Sequence, residues 1–376
     1  MNTRKLAAAV TLGMALGTAP AAFSLSAHAS ETGANVRSGK ASVTNGRSKA
    51  TRGSDRLIGN SKKNQMTGWD GDDLMKGRGG NDTLAGNSDD DTIYGDGGWD
   101  TLLGHDGNDT IVGGSGSDVL KGSTGIDTIH GDADDDYLDG GPEADLLYGD
   151  AGNDRIAGHL GDDQVWGGEG DDTVDAFTDN DIVYGEDGRD TLNGSDGDDI
   201  VYGGPGDDNL ASTAGTKSPG GLLGGPGNDR VYGEDGNDHV SGAEGNDHLD
   251  GGLGNDEIDG GSGNDTLIDG DGDDDVTSDE GDDTLFIGAG TDRVFPEEGS
   301  DTVYLYADGS PDVIRCDDMD TPELRAQAGS NDRVVYVGPR DSLDVIWDSC
   351  ESIESVDYLP AGWPYGPVLN VVRAQL

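Results

Sequence analysis

Along most of this chain the aliphatic positions recur at an interval of nine residues. With Gly77-Arg78-Gly79-Gly80-Asn81-Asp82-Thr83-Leu84-Ala85 as the ruler, the eighth place is apolar every time, running Met75, Leu84, Ile93, Leu102, Ile111, Leu120 and onward to Val201 and Leu210. After an interruption the register resumes at Gly224, with Val231, Val240, Leu249, Ile258, Leu267, Val276, Leu285, Val294 and Val303. Such a period marks a stack of short identical units, since one unit alone has too little apolar surface to fold. Places seven to nine, as in Thr83-Leu84-Ala85, predict a short strand whose middle side chain points inward while its neighbours face water. Places one to six predict a turn, where glycines admit positive φ. The predicted fold is all-β, a solenoid of stacked turns.

The sixth place is as regular as the eighth. It reads Asp73, Asp82, Asp91, Asp100, Asp109, Asp118, Asp127, Asp136, Asp145, Asp154, Asp163, Asp172, Asp181, Asp190, Asp199 and Asp208. Beyond the interruption it reads Asp229, Asp238, Asp247, Asp256, Asp265, Asp274, Asp283, Asp292 and Asp301. All of these except Asp181 and Asp301 are candidate metal ligands. Carboxylate and carbonyl oxygens in a flexible glycine-rich loop suit calcium better than zinc or magnesium. Composition agrees: Asp+Glu outnumber Lys+Arg by 77 to 23, the formal net charge is -54, and 67 of 376 residues are glycine. Stacked carboxylates need a neutralising cation, so calcium is the expected cofactor at several sites, while nucleic acid and anionic membrane surfaces are poor partners for the body, and no nucleic acid is expected among its partners. One buried aliphatic side chain per unit does not offset the ordering of nine residues, which couples folding to metal binding.

Units such as Gly167-Gly168-Glu169-Gly170-Asp171-Asp172-Thr173-Val174-Asp175 and Gly260-Gly261-Ser262-Gly263-Asn264-Asp265-Thr266-Leu267-Ile268 resemble the repeats-in-toxin, or hemolysin-type, calcium-binding family. The resemblance covers residues 68 to 304 and implies a parallel β-roll, a right-handed solenoid whose coil consumes two units. It further implies an ion between units n and n+2, so that Asp82 pairs with Asp100 and Asp91 with Asp109 in two ladders on opposite edges. Departures are local. Asp89, Asp134, Glu143 and Asp179 replace the third glycine, Ala176-Phe177 the leading pair, and Asp269, Ser278, Ile287 and Pro296 the first place of the last units. These last coils are expected to be weak or distorted. The interruption, Ser212 to Leu223, carries Lys217 at the aspartate position. It predicts a metal-free bulge with Leu222 or Leu223 inside, a continuous roll, and one ladder short of a rung. Gly59 to Thr67, with Asn64 at the metal position beside Lys62 and Lys63, reads as an N-terminal cap.

Outside the repeats, Arg4 and Lys5 precede an apolar run from Leu6 to about Ala22 and a small-x-small site at Ala27-His28-Ala29, which predicts a signal peptide over 1–29 and a secreted product. Residues 30–58, with Arg37, Lys40, Arg47, Lys49 and Arg52, predict a disordered basic linker; 59–304 are the roll and 305–376 a C-terminal cap. Cys316 and Cys350 predict one disulfide within that cap. The cap's strand-like runs are Asp312-Val313-Ile314-Arg315, Arg333-Val334-Val335-Tyr336-Val337 and Leu343-Asp344-Val345-Ile346-Trp347.

Several decoys fail. Asp269 to Glu280 mimics an EF-hand loop but has Asp274 where the turn needs glycine, and repeats where it needs helices. The sequons at Asn81, Asn108 and Asn264 are repeat places, and His105, His130, His159, His239 and His248 are scattered. No zinc helix, serine elbow or phosphate loop occurs. The expected function is a non-catalytic, monomeric calcium-binding scaffold, adhesin or envelope module with cell-surface or polysaccharide partners and no membrane insertion. The alternative is a polysaccharide-acting or other hydrolytic enzyme that uses the acidic surface.

Overall fold

The computed structural model describes residues 50–208, 221–306, 308–316, 332–337, 344–346, 350, 352–356 and 364. The expected signal peptide, most of the basic linker, Leu210, Lys217 and most of the tail lie outside them. Among the described residues there is no helix; the chain is a parallel β-solenoid of two sheets with 16 and 15 strands, which take alternate units. Thr83–Ser88 pairs with Thr101–Asp106, so Leu84 faces Leu102, and on the other sheet Ile93 faces Ile111. Each coil thus consumes two nonapeptides. The eighth-place residues from Met75 to Val303 that are described are at most 1% exposed and form one narrow apolar column.

Strand pairing reaches further than places seven to nine. In the Thr83–Ser88 ladder the pairs continue with Asn87 to His105 and Ser88 to Asp106, skipping only the first-place glycine. Corners fall at the second and fourth places, which hold positive φ: 90° at Asn87 and 84° at His105, and 137° at Gly107 and 73° at Asp89. The acids that replace the fourth-place glycine tolerate this conformation and use it. Asp89 Oδ2 accepts from the Gly71 N–H at 2.7 Å, Asp134 from Gly116 at 2.9 Å, Glu143 from Gly125 at 2.9 Å and Asp179 from Gly161 at 3.0 Å, each bond spanning 18 residues.

Both ends extend beyond the expected repeats. Residues 50–58 were expected to be linker, yet Arg56–Ile58 pairs with Leu74–Lys76, and Leu57 is fully buried. At the other end Thr302–Tyr306, Val313–Ile314, Arg333–Val337, Val345–Ile346 and Ser352–Val356 continue the same two sheets. Here the first place turns apolar, and Ile287, Leu305 and Tyr336 stack in register, all fully buried. Cys316 and Cys350 form a disulfide with Cα atoms 5.2 Å apart.

The interruption resolves differently from its sequence reading. Asp190 pairs with Asp208 across 18 residues, and Asp208 with Asp238 across 30. The extra twelve residues therefore fall in the sequence between Asp208 and Gly221, within a unit that keeps its aspartate. Neither ladder loses a rung. Leu222 takes the interior place expected of Leu210 and pairs with Leu192 on one side and Val240 on the other, so the roll is continuous.

Candidate metal centre

Every sixth-place aspartate is buried, between 0% and 4% exposed, at the point where a turn delivers the chain into the next strand. The backbone carries it there: the carbonyl of each sixth place accepts the seventh-place N–H of the unit two on, as Asp82 does from Thr101 at 3.0 Å. One carboxylate oxygen is spoken for. Asp100 Oδ1 accepts the Asp82 N–H at 2.6 Å, Asp109 Oδ1 that of Asp91 at 2.7 Å, and Asp163 Oδ1 that of Asp145 at 2.7 Å. The other oxygen, Oδ2, is buried and meets no hydrogen-bond donor in any aspartate from Asp73 to Asp301 of the two described series.

These orphaned oxygens converge on the first-place glycines. A Cβ on Gly113 would lie 2.7 Å from Asp118 Oδ2 and 2.7 Å from the Gly131 carbonyl oxygen; on Gly194 it would lie 2.5 Å from Asp199 Oδ2 and 2.7 Å from the Gly224 oxygen. Glycine is needed here for space. Its missing side chain leaves a cradle walled by a carboxylate of its own unit and a carbonyl two units on. Ala176, fully buried, stands at the equivalent first place of the unit of Asp181.

Electrostatics makes the cradle costly when bare. Burial is the main force pushing Asp145 up to about 8, opposed by the Asp127 N–H and reinforced by the charges of Asp127 and Asp163. Asp136 rises to about 8 for the same reasons, with Asp118 and Asp154 as its charged neighbours, and Asp100 to about 6. A paired set of hard, partly anionic oxygens with raised pKa fits a calcium ion, which takes carboxylate and carbonyl ligands in flexible geometry. The sixth-place carboxylates and first-place carbonyls would hold it, and its charge would replace the protons that burial otherwise demands.

The two ladders run through the places read from sequence and beyond. Asp73, Asp91, Asp109, Asp127, Asp145, Asp163, Asp199, Asp229, Asp247, Asp265 and Asp283 share one edge. Asp82, Asp100, Asp118, Asp136, Asp154, Asp172, Asp190, Asp208, Asp238, Asp256, Asp274 and Asp292 share the other. Asp181 and Asp301, set aside on sequence, stand in the first edge. Asp55, Asp312, Asp332 and Asp344 also join the ladders unforeseen. Each precedes an apolar residue by two places, as in Asp55-Arg56-Leu57 and Asp312-Val313-Ile314, a signal that was present without its glycines. Asn64 ends one ladder: its amide Nδ2 donates to Asp82 Oδ1 at 2.9 Å and faces the Gly77 carbonyl at 3.4 Å, so neutral N–H groups stand where a cation would.

Two further columns escaped the sequence reading. At the fifth place, Asn or Asp side chains run the opposite way, Asn228 Oδ1 accepting from the Asn246 N–H at 3.0 Å and Asn246 Oδ1 from Asn264 at 2.7 Å. Asn108 and Asn264 of the sequons belong to this column. At the ninth place of one sheet His130, Tyr148, Trp166, Tyr184, Tyr202 and Tyr232 stack with centroids 4.4 to 5.6 Å apart. Of the other histidines, His159 stacks on Phe177 and lies 3.3 Å from Asp139 Oδ1.

A parallel β-solenoid whose loops line both edges with buried carboxylates belongs to the β-roll class, with chemistry matched to hard cations. The sequence model of the RTX calcium-binding nonapeptide repeat matches residues 50–84, 76–111, 112–147, 139–174, 175–210, 223–258, 250–285 and 281–303. The chain belongs to this family of calcium-binding repeat proteins. No curated protein matches it.

Proposed function

We propose that this is an exported, monomeric protein whose sixth-place aspartates bind calcium between stacked loops and fold on doing so, and which acts without catalysis as a scaffold, adhesin or envelope module. The observation that carries the reading is the row of buried Oδ2 atoms, most of them facing a glycine cradle completed by a carbonyl oxygen. Left bare, such oxygens forfeit their hydration with nothing in return. Cell-surface or polysaccharide partners suit a strongly acidic surface whose own charge the ions balance. Circular dichroism in chelator and then in millimolar calcium tests the metal reading. The protein should be largely unfolded first and β-rich afterwards, with magnesium a poor substitute because it demands compact octahedral geometry. An unchanged spectrum in chelator would overturn it. A pull-down against cell-surface material with and without calcium tests the scaffold reading; capture that is indifferent to calcium would refute it.

A further inference from the structure

Asp269 stands at a first place, where the repeat has glycine, and its side chain enters the cradle instead of leaving it open. It is fully buried, and a carboxylate oxygen of Asp269, one of Asp274 and one of Asp292 lie within 4.8 Å of one another. Asp274 and Asp292 are each 1% exposed, and the Oδ2 atom of each is buried without a hydrogen-bond donor. Their Oδ1 atoms are occupied by the backbone, Asp274 by the Asp256 N–H at 2.8 Å and Asp292 by the Asp274 N–H at 3.0 Å. Asp269 Oδ1 is fixed in turn by the N–H groups of Gly270 and Gly288, both at 2.7 Å, which set the carboxylate rigidly in place. None of the ion pairs among the described residues involves Asp274 or Asp292.

We propose that Asp269, Asp274 and Asp292 form a distinct cation site, one carboxylate richer than the repeat cradles, which takes a calcium ion before the other sites do. Affinity in oxygen-ligand sites rises with the number of charged ligands and with rigidity, and this site exceeds its neighbours in both. Its position adds a reason. Ile268 pairs with Asp250 and Phe286, and the Asp269 N–H donates to the Phe286 carbonyl, so Asp269 follows in line between Gly251 and Ile287, where open cradles give way to the apolar first places Ile287 and Leu305. An ion there is bordered on one side by a dry, already packed core. The Asp269 carbonyl also faces the Gly251 cradle, 2.5 Å from where its Cβ would be, so filling the site orders a ligand of the next one. The twelve-residue spacing from Asp269 to Glu280 that imitates an EF-hand thus includes two true partners, but Asp292 of the following coil completes the set. The proposal rests on the calcium reading of the repeats only in naming the ion.

The test uses the full chain freed of metal, given one equivalent of terbium ion as a calcium stand-in, passed through gel filtration and assayed for retained metal. Asp269→Asn keeps an acceptor for the Gly270 and Gly288 N–H groups but removes the charge, and Asp269→Gly restores the repeat's ordinary cradle. Wild-type should retain the ion, while both variants should bind it roughly tenfold more weakly yet reach the wild-type spectrum in saturating calcium. Equal retention by all three proteins overturns the proposal. So does retention by Asp269→Asn with loss in Asp269→Gly, which would show a backbone-fixing role alone. A wild-type chain that binds calcium at saturation but holds no terbium at one equivalent refutes this site and leaves the repeats intact, whereas no binding at saturation refutes the repeat reading itself.

Discussion

At the scale of the residue, the first place decides whether its aspartate faces a gap or a neighbour. A Cβ on Gly194 would fall 2.5 Å from Asp199 Oδ2, so a methyl there would push the carboxylate aside without supplying, as Asp269 does, an oxygen of its own. Gly194→Ala should therefore lower the calcium stoichiometry by one, and Ala176→Gly should raise it by one by clearing the space before Asp181; equilibrium dialysis against labelled calcium reads both. Removing a ligand should act similarly. Asp163→Ala takes away the acceptor of the Asp145 N–H along with a carboxylate, and should destabilise the calcium-loaded roll by about 1–3 kcal/mol, whereas Glu169→Ala, at an exposed place, should leave the denaturation midpoint unchanged. Protons compete for the same oxygens. Asp136 and Asp145 rise from 3.8 to about 8, so the metal-free roll is favoured by their protonation fully below pH 4 and loses that support as pH climbs towards 8. In chelator, β structure should return on acidification to about pH 4 and vanish near pH 8. Calcium affinity should fall along the same interval as protons take its place, a trend that titrations at fixed pH values would reveal.

At the scale of the element, the half-coil is a unit with two kinds of tolerance. Its strand accepts any aliphatic residue at the eighth place, and its turn accepts an acid in place of glycine at the fourth, because the carboxylate caps a neighbouring N–H. It also accepts an insertion between the sixth and seventh places. Asp199 pairs with Asp229 and Leu192 with Leu222 as though the residues between Asp208 and Gly221 were absent. Deleting residues 209–220 would join Asp208 to Gly221 and regenerate an ordinary nonapeptide, Gly203-Gly204-Pro205-Gly206-Asp207-Asp208-Gly221-Leu222-Leu223. The shortened protein should bind as many calcium ions as the full chain and melt at the same temperature or slightly above it, since the entropy cost of closing a loop rises slowly with its length. A fall in stoichiometry would mean that a rung resides in the deleted segment.

At the scale of the whole molecule, contacts run only between neighbouring coils, so stability varies along the axis. Through most of the roll the first places are glycine and the interior is one side chain wide. Towards the C-terminus Ile287, Leu305 and Tyr336 widen the apolar column, and a disulfide across 34 residues closes the end. Hydrogen exchange in chelator should find Thr302–Tyr306 and Arg333–Val337 protected longer than Thr83–Ser88. Reducing the disulfide should cost the terminal coils about 3–4 kcal/mol in the chain-entropy account and leave exchange in the Thr83–Ser88 region unaltered.

The nonapeptide sequence by itself determined the interior column, the aspartate register and the chemistry of the cation, because each of these is decided within one half-coil. Leu84 points inward and Asp82 sits at the turn whatever lies above them. What only the tertiary structure decided depends on residues 18 apart meeting across a closed coil. Asp269 joins Asp292, Asn246 joins Asn264, and Tyr148 stacks on Trp166 only once the chain has gone round. Closure also settled the ends and the interruption. Arg56–Ile58 is a strand because Leu74–Lys76 lies beside it, and residues 209–220 count as an insertion within one unit because Asp238 stacks directly on Asp208, spatial facts to which the nine-residue period is blind.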